Sequence, residues 1–190
     1  VLVMISCKRE TTPEMKQQRS YKLAMVQMEV LGGEPEANLA NAEKRIREAA
    51  EQGAKIALLP EALDFGWTHG SARETAGPIP GGASYERLSR TARENNIFVC
   101  AGIIENGGGN LYNSAVIINR SGELLLKHRK LNVLDIAHDL YQIGDKLEVA
   151  ESELGNLGLL ICADATAPEY TLSKSLGMMG ADIILSPCAW

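Results

Sequence analysis

The stretch LGLLICADATAPE, Leu157 to Glu169, decides how the rest of the chain is read. Leu157 to Ile161 is a short apolar run with the length and bounds of a buried strand. Pro168 suits the first turn of a following helix, and Glu169 suits its positive end. Cys162 then falls where strand gives way to helix, at the carboxyl edge of a sheet. In open α/β sheets that edge is where ligands bind. The alternative is that Cys162 is a small buried hydrophobe, as many free cysteines are.

The neighbouring segments supply a sheet for it. From Tyr21 onward, apolar strand-like runs alternate with amphipathic helical ones. KLAMVQMEV reads as a strand, and EANLANAEKRIREAAEQGA carries Leu39, Ala42, Ile46, Ala49 and Ala50 near helical spacing, with Gly53 as its stop. KIALLP reads as a buried strand closed by Pro60, ASYERLSRTARENN as a second helix, and IFVCAGIIE as a third strand. LYNSAVIIN and LLLKHRK read as two strands joined by the short turn RSGE. NVLDIAHDLYQIGDK is irregular, a helix is expected from about Pro168 to Met179, and DIILSP is a last strand. Gly107, Gly108 and Gly109 precede a strand rather than a helix and lack a following Lys-Ser/Thr, so they form a hairpin turn rather than a phosphate cradle. The pattern is that of an α/β layered fold with antiparallel hairpins.

Composition narrows the function classes. The chain has 190 residues, 45% of them hydrophobic and 23% charged, as in a single globular domain. A net charge of −5 and the lack of a basic stripe argue against nucleic-acid binding. Cys7, Cys100, Cys162 and Cys188 are scattered, with no CxxC pair and no histidine at ligand spacing. They read as reduced thiols, as in the cytoplasm, and not as a zinc site or a disulfide framework. No apolar run approaches the roughly 20 residues of a membrane-spanning helix. Residues 1–20 read as a leader or tether outside the fold, which occupies 21–190. MISC, ending on Cys7, is similar to a bacterial lipoprotein processing site, so a lipid anchor at Cys7 is the alternative to a cytoplasmic protein. The apolar ending ADIILSPCAW leads us to expect a chain truncated at both ends.

Three reactive residues share one setting, at or just past the end of an apolar strand: Glu61 after KIALLP, Lys130 after LLLKHR, and Cys162 after LGLLI. Taken singly, each has a bland reading, as a helix-start carboxylate, a loop charge and a core thiol. If the strands are neighbours, the three converge on one sheet edge. A histidine-based cysteine protease would need His69, His128 or His138, and none has a recognisable setting. His128 precedes Lys130 by two and shares its strand face.

Together, LLPEALDFGW, GIIENGGGNLYNSAVIINRSGELLLKHRKLN and LGLLICADATAPEYTLSKSLGMMGADIILSPCAW resemble the carbon–nitrogen hydrolase family, the nitrilase superfamily, in order and spacing. The resemblance covers Tyr21 to Trp190. It implies a four-layer α-β-β-α sandwich, here incomplete at its C-terminal end, assembled into homodimers or larger homo-oligomers through outer helices. It also implies a Glu-Lys-Cys catalytic set on Glu61, Lys130 and Cys162.

The residue types suit the chemistry. Amide carbon is a poor electrophile, and a thiolate splits its hydrolysis into acylation and deacylation. Glu61 would take the thiol proton, return it to the departing amine, and activate water for deacylation. Lys130 would favour the thiolate and, with the backbone N–H of Ala163, stabilise the oxyanion. No metal or organic cofactor is required. The residues after the cysteine are Ala163 and Asp164 rather than the Trp-Glu of true nitrilases, which favours an amidase acting on a small amide or carbamoyl compound. Asp164 matches a common acidic position that orients the cysteine turn.

Three departures from the family pattern stand out. Asn132 replaces a common histidine, and Thr166 replaces a common arginine. The second glutamate of the loop between lysine and cysteine is missing, with Ala137 in its place and Asp135 and Asp139 as the nearest carboxylates. Two other functions remain open at this point: acyl transfer from the same thioester to an amine, and a non-catalytic role in which turnover is lost.

Overall fold

The structure is a computed structural model that describes residues 20–189. The leader expected over residues 1–20 lies outside the described residues except for Ser20, and Cys7 lies outside with it.

Two sheets stack face to face. The larger contains β1 (Leu23–Met25), β2 (Ile56–Leu58), β3 (Phe98–Gly107), β4 (Asn110–Ile118) and β5 (Leu124–Arg129), in that spatial order. β1, β2 and β3 run parallel, and β3, β4 and β5 form an antiparallel meander. Parallel neighbours need crossover connections, and two helices provide them: α1 (Pro35–Glu51) between β1 and β2, and α3 (Ala83–Glu94), which follows the one-turn α2 (Ala72–Thr75), between β2 and β3. The smaller sheet has the order β6 (Val149–Ser152), β7 (Gly155–Leu159), β8 (Ile183–Leu185), with α4 (Thr171–Met178) connecting β7 to its parallel neighbour β8.

Strand alternation assigns the layers. Val99, Ala101, Ile103, Val116 and Ile118 of the larger sheet pack with Leu39, Ile46 and Leu88 of α1 and α3. The intervening residues Cys100, Ala115 and Ile117 pack with Leu157, Leu159 and Ile161 of the smaller sheet. On the far side of the smaller sheet, Leu176 of α4 is fully buried, and a Cβ at Gly158 would lie 3.1 Å from its Cδ1. The layers are thus helix, sheet, sheet, helix, which is the sandwich expected from the sequence.

Three elements differ from expectation. β1 has only three residues rather than nine, because as an edge strand it has a single partner, β2. β6 had no sequence signal, since its half-exposed face and the glutamates at 151 and 153 read as loop. The last helix begins at Thr171 rather than Pro168: Glu169 and Tyr170 take left-handed φ values of 55° and 57°, which break the helix after the proline turn.

Candidate active site

Three chain segments meet at one end of the sandwich. The first follows β2. Glu61 is only 2% exposed, and the next residue, Ala62, is held at φ 48°. This turn fits against β3 because position 102 is glycine. A Cβ there would lie 2.5 Å from the Glu61 Cα, while the Gly102 N–H donates to Pro60 and its carbonyl accepts from Leu63.

The second segment carries Lys130, just beyond β5 and 2% exposed. Its N–H donates to the Asn113 carbonyl at 2.9 Å, which extends the β4–β5 ladder by one residue. Its Nζ donates to Glu61 Oε1 at 2.7 Å, and Asn113 Nδ2 donates to the same oxygen at 2.7 Å. Two charges taken out of water survive only when paired and hydrogen-bonded, and these are. Trp67 lies over the ammonium, with the ring centroid 5.8 Å from Nζ.

The third segment carries Cys162. β7 itself stops at Leu159, and the expected strand end at Ile161 is a hydrogen-bonded extension. The Leu160 N–H donates to Leu185, and the Cys162 N–H donates to Pro187 at 3.0 Å. Cys162 then takes φ 44° and opens a 3₁₀ turn, Cys162–Thr166. A left-handed non-glycine residue costs about 1–2 kcal/mol and persists only where its surroundings fix it.

Asp164 is the fixture. It is fully buried, and its Oδ1 accepts from the N–H groups of Leu131 at 3.1 Å and Asn132 at 2.6 Å. Its Oδ2 accepts from the Ile161 N–H at 3.1 Å and contacts His128 Nε2 at 2.8 Å. One carboxylate thereby ties the turn of Cys162 to the segment after Lys130. Asn132, standing where the family pattern has histidine, donates from Nδ2 to the Ala163 carbonyl at 2.7 Å and strengthens the same tie.

A fourth segment, Pro187 to Ala189, closes the site and had no functional signal in the sequence. The Cys188 carbonyl accepts from the Glu61 N–H at 3.3 Å, and the Ala189 N–H donates to Glu61 Oε2 at 3.1 Å. The Cys188 thiol donates to the Ser186 carbonyl at 3.4 Å and lies beside the Cys162 thiol. The two titrate as a pair, so the first proton leaves more easily and the second with more difficulty. In this arrangement the neighbouring Cys162 thiol pulls Cys188 down to about 6. Cys162 is held above the usual thiol range by the neighbouring Cys188 thiol, by burial and by the Glu61 carboxylate, with Lys130 opposing.

The remaining candidates lie elsewhere. Ala137 is buried, whereas Asp135 and Asp139 are both exposed, so neither fills the place of the missing loop glutamate. His69 bonds Ser71, His138 bonds the Val133 carbonyl, and His128 bonds Asp164. Each histidine therefore has a partner other than a cysteine. Tyr141, also unmarked in the sequence, is buried close to Glu61 and donates to the Trp67 carbonyl; burial, with the Asp64 and Glu61 charges, raises its pKa. Among the described residues, no group of three or more potential metal ligands is present.

A thiol on a strained turn, a buried carboxylate and a buried ammonium thus lie within one hydrogen-bonded cluster. The comparison with known proteins gives the family. The chain matches the carbon–nitrogen hydrolase model over residues 22–190 and belongs to that family. It is 36% identical over 171 residues to a protein named nitrilase from Pyrococcus abyssi, covering 87% of this chain and 64% of that one. It is 32% identical over 180 residues to an omega-amidase from Danio rerio, covering 90% of this chain and 64% of that one. An amidase from Nesterenkonia sp. has the same fold, with a TM-score of 0.79 at 25% identity over 88% of this chain and 64% of the other. The chain thus spans less than two thirds of the length of these relatives.

Proposed function

We propose that the full-length protein hydrolyses the carbon–nitrogen bond of a small amide or carbamoyl compound through a thioester on Cys162, releasing ammonia or an amine. The observation that carries this reading is the Lys130–Glu61 pair, 2.7 Å apart and sealed from water, built into the same cluster as the Cys162 turn. Family membership and the amidases among the similar proteins support an amide rather than a nitrile.

In the proposed reaction, the Cys162 proton passes to Glu61 and the sulfur attacks the carbonyl carbon. The C=O bond opens to an oxyanion, which faces Lys130 and the backbone N–H of Ala163. Fixed donors of this kind are worth about 3–4 kcal/mol each. As the C–N bond breaks, Glu61 returns its proton to the departing nitrogen. Water then loses a proton to Glu61 and attacks the thioester, and Cys162 leaves and recovers the proton. Every proton borrowed is returned, and no redox step is involved.

We also assign the exposed Tyr170, Met178 and Met179, on and beside α4, to contact between copies of the protein, in line with a homo-oligomer built through outer helices. No helix among the described residues is long and apolar enough to cross a membrane.

The test is ammonia release by the full-length protein over a panel of small amides, carbamoyl compounds and nitriles. Amide-dependent ammonia is expected, and Cys162→Ala should lower it by at least about 10⁴-fold. Turnover of nitriles alone, or turnover surviving in the variant, would overturn the proposal. Release that requires an added amine acceptor would point to acyl transfer.

A further inference from the structure

Cys188 has no part in the reaction above, yet the fold holds it against the nucleophile. The register of β7 and β8 is Leu157↔Ile183, Gly158↔Ile184, Leu159↔Leu185, a constant offset of 26 residues. The hydrogen bonds beyond the strands preserve it, since Leu160 donates to Leu185 and Cys162 donates to Pro187. Each donor therefore addresses the carbonyl just before its in-register partner, as a parallel ladder requires. Carried three residues past Leu159, the same offset sets Cys162 opposite Cys188. Adjacent strands lie about 4.8 Å apart, inside the roughly 4.4–6.8 Å range of Cα separations that a disulfide spans. The two thiols are also close enough for each to perturb the ionisation of the other. Both residues are free and partly accessible, whereas Cys100 is fully buried in the core.

We propose that Cys162 and Cys188 form a reversible oxidation site, closing to an intramolecular disulfide when a peroxide reaches the pocket. The Cys162 thiolate attacks one oxygen of hydrogen peroxide. An S–O bond forms, the O–O bond breaks, and the departing hydroxide takes a proton to become water. Sulfur loses two electrons and peroxide gains them, leaving a sulfenic acid. The Cys188 thiolate then attacks the Cys162 sulfur. The S–S bond forms, the S–O bond breaks, and hydroxide leaves with the proton from Cys188 as a second water. A dithiol reverses the step by exchange: it gives two electrons to the Cys162–Cys188 bond, which returns to two thiols, and closes to a disulfide itself. Cys188, pulled down to about 6 in the reduced pair, supplies the thiolate of the second attack near neutral pH.

In chemical terms the neighbour acts as a resolving thiol. Without it, a sulfenic acid at Cys162 is exposed to a second peroxide and proceeds to sulfinic acid, which dithiols do not reverse. With it, the nucleophile is capped by an adjacent residue and can be released. The regulatory meaning rests on Cys162 being the nucleophile, but the disulfide itself does not.

The full-length protein, reduced and then treated with hydrogen peroxide, is digested under non-reducing conditions and its peptides are weighed. The expected product is a Cys162–Cys188 cross-linked pair, two hydrogens lighter than the sum of its parts, that dithiothreitol returns to two thiols. In Cys188→Ser, the fraction of Cys162 recovered by dithiothreitol should fall at least tenfold, with sulfinate in its place. Wild-type Cys162 going directly to sulfinate while Cys188 stays a thiol would overturn the proposal, as would pairing of either residue with a different cysteine. The peptide masses need no turnover, so absence of the cross-link and absence of ammonia release are separate results.

Discussion

Glu61 and Glu105 lie at opposite faces of one sheet and are equally buried, each 2% exposed. Each accepts from a lysine in or next to β5 at 2.7 Å, Lys130 for Glu61 and Lys127 for Glu105. Strand alternation sends the two lysines apart, so Lys127 and Arg129 face the helix layer while His128 and Lys130 face the smaller sheet. Around Glu105 the valences are filled. Arg129 donates to both carboxylate oxygens, at 2.9 and 2.7 Å, Ser114 donates at 2.7 Å, and the guanidinium stacks 3.7 Å over the Tyr112 ring. Burial alone would raise this carboxyl, but hydrogen bonds from Arg129, Lys127 and Ser114 hold it below the ordinary range. Glu61 has one cation, itself 2% exposed, and two thiols stand nearby. Its other partners are the Ala189 N–H and Asn113, whose buried Oδ1 has no hydrogen-bond partner among the described residues. A buried Glu–Lys pair is common to both faces, and the difference lies in what the surroundings leave unfinished.

The sharpest way to break this contrast is to remove one charge from each face. Lys130→Met should lower amide turnover by about 10³-fold, measured as kcat, because it deletes the fixed charge that the proposed reaction sets against the oxyanion. Glu105→Gln should leave turnover within about threefold while lowering unfolding free energy by about 3 kcal/mol in urea titration, since it unpairs two partly buried cations. If Glu105→Gln lost as much turnover as Lys130→Met, the two faces would not be functionally separate.

Asp64 sharpens the comparison further, as a fully buried carboxylate held by the N–H groups of Phe65 and Ile104, with no cation paired to it among the described residues. Burial, opposed by hydrogen bonds, pushes it from 3.8 up to about 6. A folded value above the unfolded one means that the native state holds the proton more tightly. Its contribution is therefore fully present below about pH 4 and is lost as pH rises through 6. The loss is at most about 3 kcal/mol. Chemical denaturation between pH 4 and 7 should show that decline in the wild type and a flatter profile in Asp64→Asn. For Glu105 the sign is opposite, and its contribution is lost as pH falls.

The layers were legible because the chain alternates period-2 and period-3.6 patterns with turn residues between them, and Pro60, Gly53 and the Gly108–Gly109 turn mark real boundaries. Glu61, Lys130 and Cys162 could be singled out because each stands just past an apolar run, where side chains leave the core. Cys188 could not, because its position depends on the register between β7 and β8, and pairing between strands is a tertiary fact. Asn113 and Gly102 were hidden for the same reason: one is a strand residue whose partner comes from another loop, and the other is a space left for a neighbour's backbone. The late start of α4 was missed because the left-handed pair Glu169–Tyr170 carries no glycine or asparagine to announce it.

The segment Pro187 to Ala189 binds Cys162 by one carbonyl and Glu61 by a carbonyl and an N–H. A displacement of that segment moves both groups in the same sense and changes their separation least, like a common-mode signal. Asp164 and Gly102 each govern one side only, so a disturbance at either is differential and goes directly into the gap between thiol and carboxylate. The site is consequently stiff toward one kind of motion and sensitive to the other, and its tolerance of substitution should follow which side of that division a residue falls on.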